Sequence, residues 1–215
     1  MNPSPPSMVY MVDAEPALRD KLQRLLESVG LPTLACTGAD AFLAAYRPDW
    51  PGCLLLGASQ PERGDPGVQQ RLREQGIDVP VIVIAGHADV AMAVNALRQG
   101  ALDFIETPFN EQILLDSVHH ALTVDVGRRR NWAQQQDFLR RFNTLTAREH
   151  DVLRWVVEGL SNREIGETLN LSRKTVEIHR AKVMRKMRAD TLSQLIRIAI
   201  TIGILKACDV YDPDA

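Results

Sequence analysis

The stretch 79–85 reads VPVIVIA, a run of β-branched and apolar residues with nothing polar on either face. A strand of this kind has no side to show to water, so it belongs inside a parallel sheet covered by helices on both faces. Parallel strands need long crossover connections, usually helices, and that requirement constrains every neighbouring segment. The sequence meets it. Further strands are expected at 8–13 (MVYMVD), 31–37, 53–57 and 103–106. Between them, Leu18, Leu22, Leu25, Leu26 and Val29 recur at helical spacing and stop at Gly30. Helices are also expected over 39–46, from 65 or 66 to 75, and over 89–99, the last two ended by Gly76 and Gly100. Asn110 stands as a cap before a final helix carrying Ile113, Leu114, Val118 and Leu122. The order βαβαβαβαβα predicts a doubly wound parallel α/β domain.

After residue 123 the strand-like segments stop. Residues 126–142 are polar and compatible with a helix that continues the preceding one as a linker. Trp132, Leu139 and Phe142 recur on it at roughly helical spacing, which gives one face able to pack on a domain or on a second chain. Thr146 to Glu149 (TARE) has the form of a capping box, in which hydroxyl and carboxylate each satisfy a free backbone N–H. Val152, Leu153, Val156 and Val157 then make a core face. Ser161 opens a short helix through Ile165 and Leu169, and Asn170-Leu171-Ser172 makes a tight turn. Ser172 caps a longer helix over 173–187, which buries Val176, Val183, Met184 and Met187. A last helix after Asp190 places Leu195, Ile198 and Ala199 inward. Short helix, turn, longer basic helix is the helix-turn-helix pattern.

Charge follows the same division. Through Asp125 there are about 8 Lys/Arg against 16 Asp/Glu, a net near −8. Residues 126–143 carry about 5 bases against one acid, and 161–188 about 8 against 3. An acidic front and a basic rear point to two domains with different partners, the rear one facing phosphates. Other classes are disfavoured. No apolar run approaches the ~18–20 residues that span a bilayer, and the opening MNPSPPS lacks a basic and an apolar region, so neither a membrane span nor a signal peptide is expected. Cys36, Cys53 and Cys208 fit no disulfide frame or CxxC metal site and suit a reducing cytoplasm. His119 and His120 are adjacent on a helix, too far apart in direction to chelate one ion. There is no nucleophile–base set and no phosphate-cradling glycine loop. The chain is therefore not expected to be an enzyme or to need a cofactor or metal.

An α-helix fits the major groove, so the exposed face of 173–185 is the expected reader of double-stranded DNA. Arg180 has the fork suited to guanine, Glu177 suits a cytosine amino group, and Lys174, Lys182 and Lys186 suit phosphates. The tract LTAREHDVLRWVVEGLSNREIGETLNLSRKTVEIHRAKVMRKM resembles the LuxR-type helix-turn-helix domain, a four-helix unit. The shared positions are Thr146, Arg148 and Glu149; Gly159 and 162–166; and Ser172, Thr175, Val176 and His179. This resemblance implies a DNA-facing set of Lys174, Thr175, Glu177, Ile178, Arg180, Ala181 and Lys182, with Arg173 and Lys186 beside it. The segment VEIHRAKVM is similar to the FixJ branch of the NarL/FixJ regulators.

The front half resembles a flavodoxin-like response-regulator receiver of the same branch, most densely over AGHADVAMAVNALRQGALDFIETPF. The family places an acidic pair, an acceptor aspartate, a Ser or Thr and a lysine at the carboxyl ends of its strands. Here those positions hold Asp13 and Ala14, Gly57, Ala85 and Thr107, so only Asp13 keeps its family identity. Gly57 has no nucleophile for an aspartyl phosphate, one acid is a poor magnesium site, and Thr107 lacks the charge that would pair with a phosphoryl group. Glu62 and Asp65 are alternative acids in the following loop, and His87 follows the fourth strand. Phe104 occupies the position of the family's switch aromatic. The resemblance implies a pseudo-receiver over 1–123, a helical linker over 124–143 and a LuxR-type domain over 144–215. It implies a cytoplasmic, dimeric transcription regulator of two-component type that works without phosphorylation, through dimerisation, a partner protein or a ligand. The competing expectation is a decoy module that docks a sensor kinase or another response regulator.

Overall fold

The computed structural model describes residues 7–12, 15–57, 68–86 and 89–205. The chain divides into two compact units, Met1–Arg129 and Arg130–Ala215. Five strands form one sheet in the first: β1 (Met8–Val12), β2 (Thr33–Cys36), β3 (Gly52–Gly57), β4 (Val81–Ala85) and β5 (Asp103–Glu106). Their order is β2-β1-β3-β4-β5, with every pair parallel. This is the flavodoxin-like order, whose direction reverses between β1 and β3.

Side chains alternate across the sheet with the period of two that strands impose. One layer collects Val9, Met11, Leu55, Ile82 and Ile84 against Leu22 and Leu26 of α1 (Pro16–Ser28) and Leu114 and Val118 of α5 (Glu111–Phe142). The other collects Tyr10, Val12, Leu54, Val81 and Val83 against Phe42 of α2 (Ala39–Ala45) and Leu72 of α3 (Val68–Glu74). All of β4 is buried, as its two-faced apolarity requires. Each such Ile or Val contributes about 1.5–3 kcal/mol on burial. The helix α4 (Val90–Arg98) differs from the others in having no buried residue.

Boundaries shift for identifiable reasons. β4 begins at Val81, two residues later than expected, because Pro80 has no N–H for the ladder; its carbonyl still accepts from Leu54 N at 2.9 Å. β2 is shorter than expected, an edge strand with Leu34 and Ala35 exposed. The expected start of α3 at 65 or 66 lies outside the described residues. Asn110 does cap α5, its Oδ1 accepting from Gln112 N at 2.8 Å. That helix continues without a break through the polar linker for 32 residues.

In the second unit α6 (Ala147–Val157), α7 (Asn162–Leu169), α8 (Arg173–Met187) and α9 (Leu192–Thr201) surround Val152, Leu153, Val156, Ile165, Val176, Val183, Met187, Leu195 and Ile198. Phe138 and Phe142, from the end of α5, pack on this same core, and Phe142 meets the His150 ring edge-on at 4.2 Å. Of the linker's expected apolar stripe, Phe142 is thus used within its own unit, whereas Trp132 stays 65% exposed. Cys36 and Cys53 are buried and free, and burial pushes the Cys53 thiol up to about 12. Cys208 lies outside the described residues.

Candidate functional site

Because the strands are parallel, their carboxyl ends share one edge. Gly57 closes β3 beside Ile84, and Ala85 closes β4 beside Glu106. Thr107 follows directly, its N–H donating to the Ala85 carbonyl at 2.8 Å. The three positions are therefore brought together as the sequence suggests. Asp13, Ala14, Glu62, Asp65 and His87 lie outside the described residues. At positions 57, 85 and 107 the edge offers a glycine, a methyl group 2% exposed and a neutral hydroxyl. None of these can accept a phosphoryl group as an acyl phosphate. Phe104 is half-buried against the layer containing Val83. His119 and His120 are both exposed. Among the described residues, no group of three or more His, Cys, Asp or Glu is placed to hold a metal ion.

At the amino end of the same sheet the chemistry is reversed. Asp125, 2% exposed on α5, accepts from the Gly52 N–H at 2.8 Å and from Arg129 Nε at 2.5 Å. Arg129 also donates to the Pro48 carbonyl and, at 3.0 Å, to the Tyr46 hydroxyl. A side chain at residue 52 would put its Cβ 2.8 Å from the Met8 carbonyl oxygen, so only glycine lets β3 approach β1 there. Burial raises the Tyr46 phenol, opposed by the Arg129 charge. Asp125 continues the buried helical stripe of Leu114, Val118, Ala121 and Leu122, so the spacing places it inward, but nothing local in the sequence names Gly52 as its partner.

The second unit's site begins with two capping boxes. Thr146 and Glu149 open α6, and Ser161 and Glu164 open α7 by the same reciprocal bonds. The second box pulls the Glu164 carboxyl below its usual range, through the Ser161 hydroxyl and then its N–H. Asn170 turns the chain in the left-handed conformation, and Gly166 lets the turn close: a Cβ there would lie 2.7 Å from the Leu171 carbonyl. Ser172 caps α8 by accepting from Thr175 N at 3.1 Å. Val176, Val183 and Met187 anchor the helix in the core.

The opposite face of α8 shows Arg173, Lys174, Glu177, Ile178, Ala181 and Lys182 to solvent. Ile178 is 50% exposed, an apolar group on a polar face. Arg173 Nε pairs with Glu177 at 3.0 Å along the helix. Thr175 and Arg180 are half-buried. Arg180 is steadied by Asn162, whose Oδ1 accepts from its Nη1 at 3.1 Å. His179 is also half-buried, with its Nδ1 enclosed. Lys186 departs from its expected role as a free phosphate ligand. Its Nζ lies 2.6 Å from Glu149, which is only 3% exposed, and 2.9 Å from the Thr144 carbonyl. A buried carboxylate needs a counter-charge, and Lys186 supplies it. That pairing, with the N–H of Thr146, holds the Glu149 carboxyl down at about 2. Two residues escaped the sequence reading: Asn162 as a partner of Arg180, and Glu149 as a partner of Lys186. A motif spacing shows a cap but not a contact made across the fold.

Known proteins show the same two parts. The receiver-domain profile of response regulators matches residues 9–119, and that of the bacterial regulatory proteins of the luxR family matches 143–199. The response regulator protein TodT of Pseudomonas putida is 34% identical over 192 residues, covering 89% of this chain and 85% of TodT. The transcriptional regulatory protein FixJ of Rhizobium meliloti is 38% identical over 196 residues, covering 91% and 96%. The structure of the response regulator StyR superimposes with a TM-score of 0.76 at 32% identity, over 90% of this chain and 98% of that one. Full-length FixJ from B. japonicum gives a TM-score of 0.54 at 33% identity, over 94% of this chain and all of that one. No helix among the described residues is long and apolar enough to cross a membrane. The chain belongs to the response regulators that join a receiver domain to a LuxR-type DNA-binding domain, the family of FixJ-like and TodT-like transcription factors.

Proposed function

We propose that this chain regulates transcription without aspartyl phosphorylation of its receiver. The observation that carries this reading is Gly57 at the carboxyl end of β3, with Ala85 and Thr107 beside it. An acyl phosphate needs a carboxylate at the acceptor position, and stabilising it takes a cation; residues 57, 85 and 107 provide neither. Loss of one part is open to compensation by a neighbour, whereas the joint loss of acceptor, hydroxyl at residue 85 and lysine at residue 107 removes the reaction as a unit. DNA is bound through α8: Arg180 reads a base edge, Lys174 and Lys182 meet phosphates, and Arg173, Thr175, Glu177, Ile178 and Ala181 complete the face. Two copies act together on paired half-sites about one DNA turn apart. The domain limits that go with this reading are 1–123, 124–143 and 144–215.

The test is a DNA titration of the full chain before and after acetyl phosphate and a cognate kinase. The expected result is no acid-labile phosphate on the protein and an unchanged affinity. A stoichiometric acyl phosphate with a tenfold or greater gain in affinity overturns the proposal. Arg180→Ala is expected to weaken binding to a selected site by about 1–3 kcal/mol while sparing scrambled DNA. Equal losses on both duplexes remove its base-reading role.

One observation favours a second reading. The face of α4 leaves Val90, Val94 and Leu97 exposed, with Val90 at 81%. An apolar surface there suits docking of a signalling protein, such as a sensor kinase or another response regulator, and a decoy role follows if specific DNA binding is absent. Retention of kinase by the immobilised chain, lost in Val90→Glu, together with no preference for any duplex, would select it.

A further inference from the structure

We infer that Asn162 is a positioning residue for Arg180, setting the guanidinium before DNA arrives. The inference rests on the reading of α8 as the DNA-facing helix. Asn162 is the first residue of α7, directly after the Ser161 cap, and Arg180 lies 18 residues later in the middle of α8. Both are half-buried. The bond between them is 3.1 Å long. Arginine has only donors, so the amide must present its oxygen.

The two ends of this contact are both fixed. Asn162 is held at the start of α7 by the reciprocal Ser161–Glu164 bonds, and Ile165 and Gly166 bury that helix against the turn. Arg180 is held by its helix, which Val176 and Val183 anchor. A guanidinium tethered at one N–H loses less rotamer freedom on binding, and its remaining donors keep their fork.

Partner chemistry separates this contact from the other cations of α8. Arg173 is paired with the carboxylate of Glu177, and Lys186 with that of Glu149. Those partners cancel the charge that a phosphate or a guanine edge would meet. Asn162 is neutral. It orients Arg180 and leaves its full charge for DNA. Lys174 and Lys182, which make no polar contact with the described residues, have charge without orientation. Arg180 thus combines a place on the DNA-facing helix, full charge and a preset geometry, and Asn162 supplies the third.

The experiment is a double-mutant cycle in the full-length chain. A duplex selected by the wild-type protein from a random pool is compared with its scrambled version. Asn162→Ala is expected to lower affinity for the selected duplex about tenfold, with little change on the scrambled one. In an Arg180→Ala background the same change is expected to cost less than about twofold. Asn162→Asp keeps an acceptor for Arg180 but cancels its charge. It is expected to weaken both duplexes while retaining more of the discrimination than Asn162→Ala does. A loss of equal size with and without Arg180, or an equal fall on both duplexes, makes Asn162 a sequence-independent backbone contact and overturns the inference. So does an Asn162→Ala protein that discriminates as the wild type does. Should Arg180→Ala itself leave the selected duplex unaffected, the role of Arg180 fails first, which the cycle reports separately. Thermal melts exclude unfolding; if Asn162→Ala melts early, Asn162→Ser, which keeps a polar first turn, carries the same cycle.

Discussion

At the amino end of the receiver sheet, Asp125 and Arg129 form an ion pair whose carboxylate is 2% exposed, tied to Gly52, Pro48 and Tyr46. At the carboxyl end of the same strands stand Gly57, Ala85 and Thr107, with no charge among them. One sheet therefore holds a buried, fully partnered acid at its amino end and three uncharged residues, 57, 85 and 107, at its carboxyl end. The contrast shows that acids at the two ends answer to different requirements. Asp125 satisfies a backbone N–H across 73 residues of sequence and is retained by the fold itself. Gly57, Ala85 and Thr107 offer no side-chain carboxylate for the fold to satisfy, so on the proposed reading that end is free of such a requirement.

The contrast is sharpest in stability, and it breaks first at Asp125. Asp125→Ala leaves the Gly52 N–H without its acceptor in the interior and removes the counter-charge of the half-buried Arg129, which keeps only Pro48 and Tyr46. A loss of about 3–5 kcal/mol is expected from urea unfolding of the full chain. Asp125→Asn keeps an acceptor for Gly52 and costs less. A change below about 1 kcal/mol for the alanine variant would show that the amino end is no better built than the carboxyl end.

The second unit offers an intermediate case. Glu149 is the other buried acid among the described residues, but its ties are one local cap and one lysine. Its carboxyl titrates at about 2 in the folded chain against an ordinary 4.5. A carboxyl lowered by folding adds stability that is fully present above pH 4.5 and is lost as pH falls toward 2. Glu149→Gln removes that dependence and is expected to cost about 1.5–3 kcal/mol at neutral pH, the worth of a charged hydrogen bond. The readout is the unfolding midpoint of both proteins from pH 6 to pH 2.5: the gap between them should close in acid. A constant gap means that the Glu149 carboxylate is not the titrating group.

Much of this was legible in the sequence, and what was not has a common cause. The parallel, doubly wound sheet follows from VPVIVIA and the helical spacings around it, because burial on two faces leaves few alternatives, whereas the spatial order of the strands is seen only in the fold. The capping boxes at Thr146 and Ser161 use residues three apart, and the first is plain in the sequence. The core face of α8 is likewise periodic. By contrast, the Asp125–Gly52, Asn162–Arg180 and Lys186–Glu149 contacts join residues 73, 18 and 37 positions apart. No local pattern encodes such a distance. Lys186 shows the consequence: read from its helix it is one more base for phosphate, and only the fold reveals the buried carboxylate beside it. The long continuation of α5 was compatible with its polar composition but not demanded by it.

The smallest effect is the one expected at the carboxyl edge itself. Thr107 is half-buried, and its hydroxyl has no hydrogen-bond partner among the described residues. Valine has the same branched shape, so Thr107→Val removes only that hydroxyl. If the edge has no remaining chemistry, unfolding free energy should move by no more than about 0.5 kcal/mol, and DNA affinity should stay the same. A lysine at this position in an active receiver would follow a phosphoryl group and transmit its presence; a neutral hydroxyl with nothing to hold has no such signal to pass on. Should Thr107→Val shift DNA affinity several-fold while leaving the fold intact, the edge is still coupled to output, and the receiver responds there to something other than an acyl phosphate.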